Sequence, residues 1–168
     1  MNTSLLRKLA ITALVAGNIA NVHAALKVGD NVPDLAGFKL EGTLPDSLKG
    51  KVVVLDFWAS WCGPCAESFP VMDALQKKYQ DQGLVILAVS VDEKAAKMDA
   101  FKKNQPVAFT VVRDADHQLV AKAEPQTMPT SFVIDRAGKV RYLHNGFHGT
   151  ATQKEYVEQI ESLLKATP

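Results

Sequence analysis

Two cysteines are all that this 168-residue chain contains, and they stand three positions apart at Cys62 and Cys65. With no second cysteine pair and no closely spaced histidine pair, a four-ligand zinc site has nothing to build from. A purely structural disulfide is an equally poor reading. A four-residue loop gives only about 2 kcal/mol of chain-entropy stabilisation, against nearly 5 for a loop of about 100 residues. An excess of charge is also missing. The formal net charge is +1, and because Arg7 and Lys8 are the only charges in residues 1–24, the remainder carries 17 basic and 18 acidic residues. Nothing in that balance implies a nucleic-acid partner. No apolar run reaches the roughly 20 residues that a membrane span needs. Internal repeats, low-complexity tracts and linkers are absent too. What is present is 47% hydrophobic and 22% charged residues, enough for the core of one ordinary globular domain.

The first 24 residues differ from the rest. Arg7 and Lys8 precede an apolar run from Leu9 to Ala20 of about 12 residues, and the stretch ends at Val22-His23-Ala24 with small residues suited to a signal peptidase. The expectation is a cleaved signal peptide over residues 1–24 and a single domain over residues 25–168, with no membrane span after cleavage. An uncleaved anchor is the alternative. No cysteine stands near the cleavage region to carry a lipid.

Two cysteines at this spacing make a reactive pair when the first opens a helix and the second lies one turn in. There the first thiol faces free backbone N–H groups and the positive end of the helix dipole, which lower its pKa. Cys62 is then the attacking thiol. Cys65, shielded one turn deeper, attacks the mixed disulfide that Cys62 forms, releases the substrate thiol and closes the Cys62–Cys65 disulfide. The near-continuous apolar run Val52 to Trp58 that leads into the pair has the composition of a strand buried on both faces. Asp56 interrupts it. A carboxyl in that position should have a raised pKa unless it finds a partner.

The stretch Val52-Val53-Val54-Leu55-Asp56-Phe57-Trp58-Ala59-Ser60-Trp61-Cys62-Gly63-Pro64-Cys65 resembles the strand and active-site loop of a thioredoxin. Together with Val28-Gly29-Asp30-Asn31-Val32-Pro33-Asp34 and Met128-Pro129-Thr130-Ser131-Phe132-Val133-Ile134-Asp135, it is similar to the TlpA/ResA-like branch of exported thiol-disulfide oxidoreductases. The resemblance implies an α/β thioredoxin fold, a central mixed sheet with helices on both faces, and a central βα insert. It implies that Asp56 accepts a proton from Cys65, and that Pro129 is a cis-proline facing the cysteines, with Met128 offering its backbone to an extended protein substrate. Trp61 and Pro64 frame the same groove. No cofactor and no resident metal are implied. The expected setting is the periplasm, with protein thiols and disulfides as substrates and a membrane electron donor as partner. Reduction, for example in cytochrome c maturation, is the direction most common in that branch, and the Gly63-Pro64 dipeptide supports it. A disulfide oxidant or isomerase shares the architecture, and a copper-binding chaperone using the two cysteines is a further alternative. Peroxiredoxin chemistry is not indicated, because Leu55 to Cys62 lacks the Pro-x-x-x-Thr-x-x-Cys pattern.

This chain departs from the family at three places. Ala88 stands where thioredoxin carries a lysine, Ser68 where the branch often has a glutamate, and Glu124-Pro125-Gln126-Thr127 where a Gly-Val pair is common. Elsewhere the pattern predicts an edge-covering hairpin within Leu26 to Gly50, strands over Leu84 to Val91 and Val107 to Val112, and a helix from Glu93 to Asn104 capped by Asp92. It also predicts a solvated turn at Asp114-Ala115-Asp116, with too few ligands for calcium. A short helix follows over His117 to Glu124, then a hairpin through Arg136-Ala137-Gly138, and a last helix begins with a capping box at Thr152 to Glu155. His117, His144 and His148 read as surface histidines.

Overall fold

The computed structural model describes residues 25–166; the expected signal peptide lies outside the described residues. Six strands form one sheet in the order β1-β4-β3-β2-β5-β6. In chain order these are β1 (Leu40–Glu41), β2 (Val52–Trp58), β3 (Leu84–Ser90), β4 (Thr110–Asp114), β5 (Thr130–Ile134) and β6 (Val140–Asn145). Strands β2, β3 and β4 run parallel, while β1, β5 and β6 pair antiparallel. Four helices complete the domain: α1 (Gly63–Tyr79), α2 (Ala95–Asn104), α3 (Gln118–Ala123) and α4 (Thr150–Lys165).

Strand β2 occupies the centre, and all seven of its residues are buried. Because side chains alternate across a strand, Val52, Val54 and Trp58 enter one apolar cluster and Val53, Leu55 and Phe57 the other. The first cluster is closed by α1, α2 and α4 through Phe69, Met72, Met98, Tyr156 and Ile160. The second is closed by α3 and the N-terminal segment through Leu119, Ala123 and Leu35. Near the cysteine-bearing end, Trp58, Phe69, Phe101 and Phe109 pack with centroid separations of 4.6 to 5.2 Å, edge-on in three of the four pairs and tilted between Trp58 and Phe101, edge-on being a geometry that the ring quadrupoles favour.

Helix α1 runs through Pro70. A proline cannot donate to the carbonyl four residues earlier, and here that carbonyl belongs to Ala66. The side chain of Gln105, just past α2, supplies the missing donor at 2.9 Å. A second glutamine repairs the sheet. β4 meets β3 only from Leu87 onward, which leaves the earlier edge of β3 without a strand. Gln76 of α1 fills the gap by donating to the Leu84 carbonyl and accepting from the Ile86 N–H, at 3.2 and 2.7 Å.

Between β3 and β5 the chain forms α2, β4 and α3, and β4 extends the sheet by one parallel strand. Several local expectations change. The N-terminal stretch is no hairpin: Leu40–Glu41 pairs with β4 at one edge, and Asn31 bridges to Lys139 at the β5–β6 turn. Backbone groups at both ends of the sheet compete for this segment and win over pairing within it. Helix α2 begins at Ala95 rather than Glu93 because the Asp92 carboxylate is engaged elsewhere. β4 spans Thr110–Asp114, with the loop before it tied to α1 by Asp73, which accepts from the Ala108 N–H at 2.6 Å. Asp114 is buried at the end of β4 and accepts from the N–H groups of Gln118 and Val120, so it holds the start of α3. Helix α4 starts two residues early, at Thr150, because Gly149 with φ 62° makes the entry turn. Thr152 accepts from the His148 N–H instead of forming the expected box.

Replacing Gln76 by Ala strands two buried backbone groups. The expected cost is about 2–3 kcal/mol, read as a lower urea midpoint with an unchanged slope.

Candidate active site

The chain leaves β2 at Trp58, turns through Ala59 to Trp61, and enters α1 with Cys62 as its N-cap. The Cys62 N–H donates to the Ala59 carbonyl, and Cys62 Sγ accepts from the Cys65 N–H at 3.2 Å. The sulfur of Cys62 therefore sits against an N–H of the first turn of α1, at the positive end of the helix dipole. Cys62 and Cys65 are joined as a disulfide with 5.3 Å between their Cα atoms. The pair is asymmetric: Cys62 retains 6% exposure and Cys65 none. Only the first sulfur borders solvent.

Beside Cys62 lies an open groove. Trp61, Cys62 and Pro64 form one wall, and Pro125, Gln126, Thr127 and Met128 the other. Trp61 is 70% exposed, a large apolar surface next to a reactive sulfur. The Met128–Pro129 bond is cis. Pro129 is buried behind the wall, and its carbonyl accepts from the Gly146 N–H at 2.8 Å. Of the residues expected to frame the groove, Trp61, Pro64 and Met128 line it directly, whereas Pro129 stands one residue back. Just before this wall stands Glu124, whose φ of 49° is unusual for a residue with a side chain. Gln126 donates to the Glu124 carbonyl at 3.0 Å.

Asp56, on β2, is fully buried on the face that the helices of the first cluster cover. Its register neighbours are Ala88 in β3 and Ser131 in β5. No cation faces it across either strand. Oδ1 accepts from the Ser131 hydroxyl at 2.6 Å, and that hydroxyl is in turn 2.6 Å from the Tyr156 hydroxyl of α4. Oδ2 has no partner among the described residues. Burial pushes the Asp56 pKa up to about 7, with the Ser131 hydrogen bond pulling against it. Burial and the neighbouring Asp56 charge raise Tyr156 as well.

A second carboxylate holds the loop. Asp92, at the end of β3, accepts from the N–H and hydroxyl of Ser60 at 3.0 and 2.7 Å, and from the Ser90 hydroxyl at 2.8 Å. Arg113 fixes the same turn from behind by donating to the carbonyls of Asp92 and Glu93 while pairing with Glu41. The expected helix cap is thus a clamp on the residue preceding Trp61. Ser60, Asp92, Ser131 and Tyr156 were not among the sequence candidates. A lone carboxylate closing a buried parallel strand was the available signal for Asp92, because ligand sites gather at the carboxyl ends of such strands. Ser131, a hydroxyl inside an apolar run, carried a similar one. Ser68 donates to the Cys65 carbonyl at 2.9 Å, and Glu67 is exposed. Among the described residues no group of three or more His, Cys, Asp or Glu could hold a metal ion.

The Redoxin family model matches residues 27–160. The chain belongs to that family. The thiol-disulfide oxidoreductase ResA of Geobacillus kaustophilus is 33% identical over 168 residues, covering 97% of this chain and 94% of its own. ResA of Bacillus subtilis is 37% identical over 134 residues, covering 76% and 74%. Among solved structures, a protein from Chlorobium tepidum described as thiol:disulfide interchange protein DsbE superposes with a TM-score of 0.76 at 41% identity, over 83% of this chain and 99% of that one. This redoxin is a thiol-disulfide oxidoreductase of the ResA/DsbE type with a thioredoxin fold. Among the described residues no helix is long and apolar enough to cross a membrane.

Two outcomes follow from the buried carboxylates. Asp56 binds its proton more tightly folded than unfolded, so the oxidised protein loses stability as pH rises from about 4 to about 7. Asp56→Asn should abolish that decline, a difference of the order of 2–4 kcal/mol between urea titrations at pH 4.5 and pH 8. Asp92→Ala releases Ser60 and is expected to lower stability by about 2–3 kcal/mol and to increase hydrogen exchange at the amides of Ser60 to Cys62.

Proposed function

We propose that this redoxin reduces disulfides of exported proteins, with Cys62 as the attacking thiol and Cys65 as the resolving thiol. The observation that carries the assignment of roles is the asymmetry of the pair: Cys62 caps α1 at the edge of the groove, while Cys65 is sealed beneath it. A substrate sulfur can approach only the first. In the mixed disulfide, Cys65 gives its proton to Asp56 and attacks Cys62. The bond between Cys62 and the substrate breaks, and the electron pair leaves on the substrate thiolate.

The groove suits an extended polypeptide. Its walls are mostly apolar and include Met128, and main-chain pairing with Met128 can hold many different sequences. Trp61 and Pro64 supply apolar contact, Met128 adds an adaptable one, and Pro129 shapes the wall from behind. The reductant direction rests on the Gly63-Pro64 dipeptide and on the resemblance to ResA-type proteins. It requires a membrane electron donor to recharge the pair, and cytochrome c maturation is one process that uses such a reductant. The signal-like first 24 residues support a periplasmic location, with the domain beginning near Ala25. A disulfide isomerase is the competing reading, favoured by the match at 28% identity and a TM-score of 0.72 to a Bacteroides thetaiotaomicron structure described as a protein disulfide isomerase.

Equilibration of the domain in defined thiol-disulfide buffers separates the two. A reductant should have a potential near −270 mV, roughly that of thioredoxin, whereas a value near about −120 mV would make it an oxidant or isomerase. Cys65→Ser should accumulate a mixed disulfide through Cys62 with a model protein disulfide, and Cys62→Ser should form none. Trapping through Cys65 instead would reverse the assigned roles.

A further inference from the structure

One strip of the sheet crosses the site at a single register level: Ala88, Asp56, Ser131 and His144 lie side by side on β3, β2, β5 and β6. Residues paired in this way point to the same face. Asp56 thus has a methyl group on one side and a hydroxyl on the other, with Tyr156 of α4 above the hydroxyl.

We propose that Ser131 and Tyr156 are positioning residues for the disulfide chemistry: their hydroxyls form a chain that occupies Asp56 Oδ1 and confines proton exchange with Cys65 to Oδ2. The proposal rests on the reading of Asp56 as the proton acceptor. Two distances of 2.6 Å define the chain, and all three residues are at most 1% exposed. Its polarity follows from valence. A carboxylate can only accept, so Ser131 donates its one proton to Oδ1, and the Ser131 oxygen must accept from Tyr156. Both donors then point toward the acid. Oδ2 receives no such bond and is the oxygen left to take the Cys65 proton.

The chain also does electrostatic work that a cation would otherwise do. With Ala88 opposite, the Asp56 charge has no positive neighbour in the sheet. Two aligned hydroxyl dipoles favour the carboxylate without adding a formal charge to the core. The remaining ionisable groups around the chain are few. His144 of β6, buried rather than at the surface as its sequence setting suggests, lies 4.5 Å from the Tyr156 ring at a 55° tilt, with its Nδ1 3.3 Å from Glu155 and its Nε2 2.8 Å from Gln159. Helix α1 presents Cys65, Phe69 and Met72 to the same cluster, of which only Cys65 ionises, and only when reduced.

The atom balance of the step is complete within the site. The Cys65 S–H proton passes to Asp56 Oδ2, the Cys65–Cys62 S–S bond forms, and the bond between Cys62 and the substrate sulfur breaks. The substrate leaves as a thiolate that solvent protonates. The proton on Oδ2 must then return to solvent, and a chain that favours the carboxylate speeds that loss.

The test measures the titration of Asp56 directly, by carboxyl 13C NMR of the oxidised domain labelled at aspartate, with Asp56→Asn for assignment. Ser131→Ala should raise the Asp56 midpoint by about one pH unit, the equivalent of one hydrogen bond to a charged group. Tyr156→Phe should raise it by less, and Ser131→Thr, which keeps the hydroxyl, should bring it back toward the parent value. In parallel, the pH dependence of resolving a preformed mixed disulfide is followed in single turnover. Its midpoint should move with that of Asp56. An unchanged Asp56 midpoint in both Ser131→Ala and Tyr156→Phe overturns the proposal. A midpoint that moves without any change in the resolution profile leaves the hydroxyl chain standing and removes Asp56 as the proton acceptor.

Discussion

Strand β2 is buried over its whole length, and the site depends on what that burial demands. A strand in the middle of a mixed sheet covered on both faces must satisfy its backbone through both neighbours and its side chains through both faces. The buried run continues through Ala59 and leaves the chain no freedom until Ser60. The loop that follows is launched from a rigid base in one direction, and Cys62 is placed at the mouth of α1. The same burial makes Asp56 expensive as a charge. One residue type, in one strand, therefore links the stability of the core to the protonation chemistry of the disulfide.

The surroundings keep that base intact by finishing hydrogen bonds that the regular elements leave open. Pro70 removes a donor from α1 and Gln105 replaces it. β4 stops short along β3 and Gln76 completes the edge. Asp92 takes the Ser60 N–H and hydroxyl, and Arg113 holds the turn that carries Asp92. In each case a side chain from a different element supplies the partner. An unpaired buried polar group costs about 1–3 kcal/mol, so each of these bonds also fixes the relative position of the two elements that it joins. The active-site loop is thereby tied to β3, β4 and, through Glu41, to the N-terminal segment.

Asymmetry between the sulfurs is a consequence of the same construction. A helix that begins at the sheet's carboxyl end exposes its first residue to solvent and turns its fourth toward the core. Cys62 acquires the N–H groups of the helix start and access to the groove; Cys65 acquires the apolar cluster of Trp58, Phe69 and Met72. The chemistry divides into attack at the surface and resolution beneath it without any further device.

The sequence by itself determined the reactive pair, the central strands and the family, because each is written in a local pattern: two cysteines at fixed spacing, apolar runs of strand length, and a continuous motif joining the two. Asp56 stood out for the same reason, as one carboxyl in an apolar run. Local pattern also misled. Asp92 has the composition of a cap, and Thr152 to Glu155 that of a capping box, yet both are used otherwise once neighbouring elements compete for them. Tertiary structure alone decided who meets Asp56. Ser131 lies 75 positions away and Asp92 lies 32 from Ser60, and those pairings are set by strand register and by the docking of α4, which no window of neighbouring residues encodes. Burial is a local property of the sequence pattern; the identity of a buried group's partner is a property of the assembled sheet.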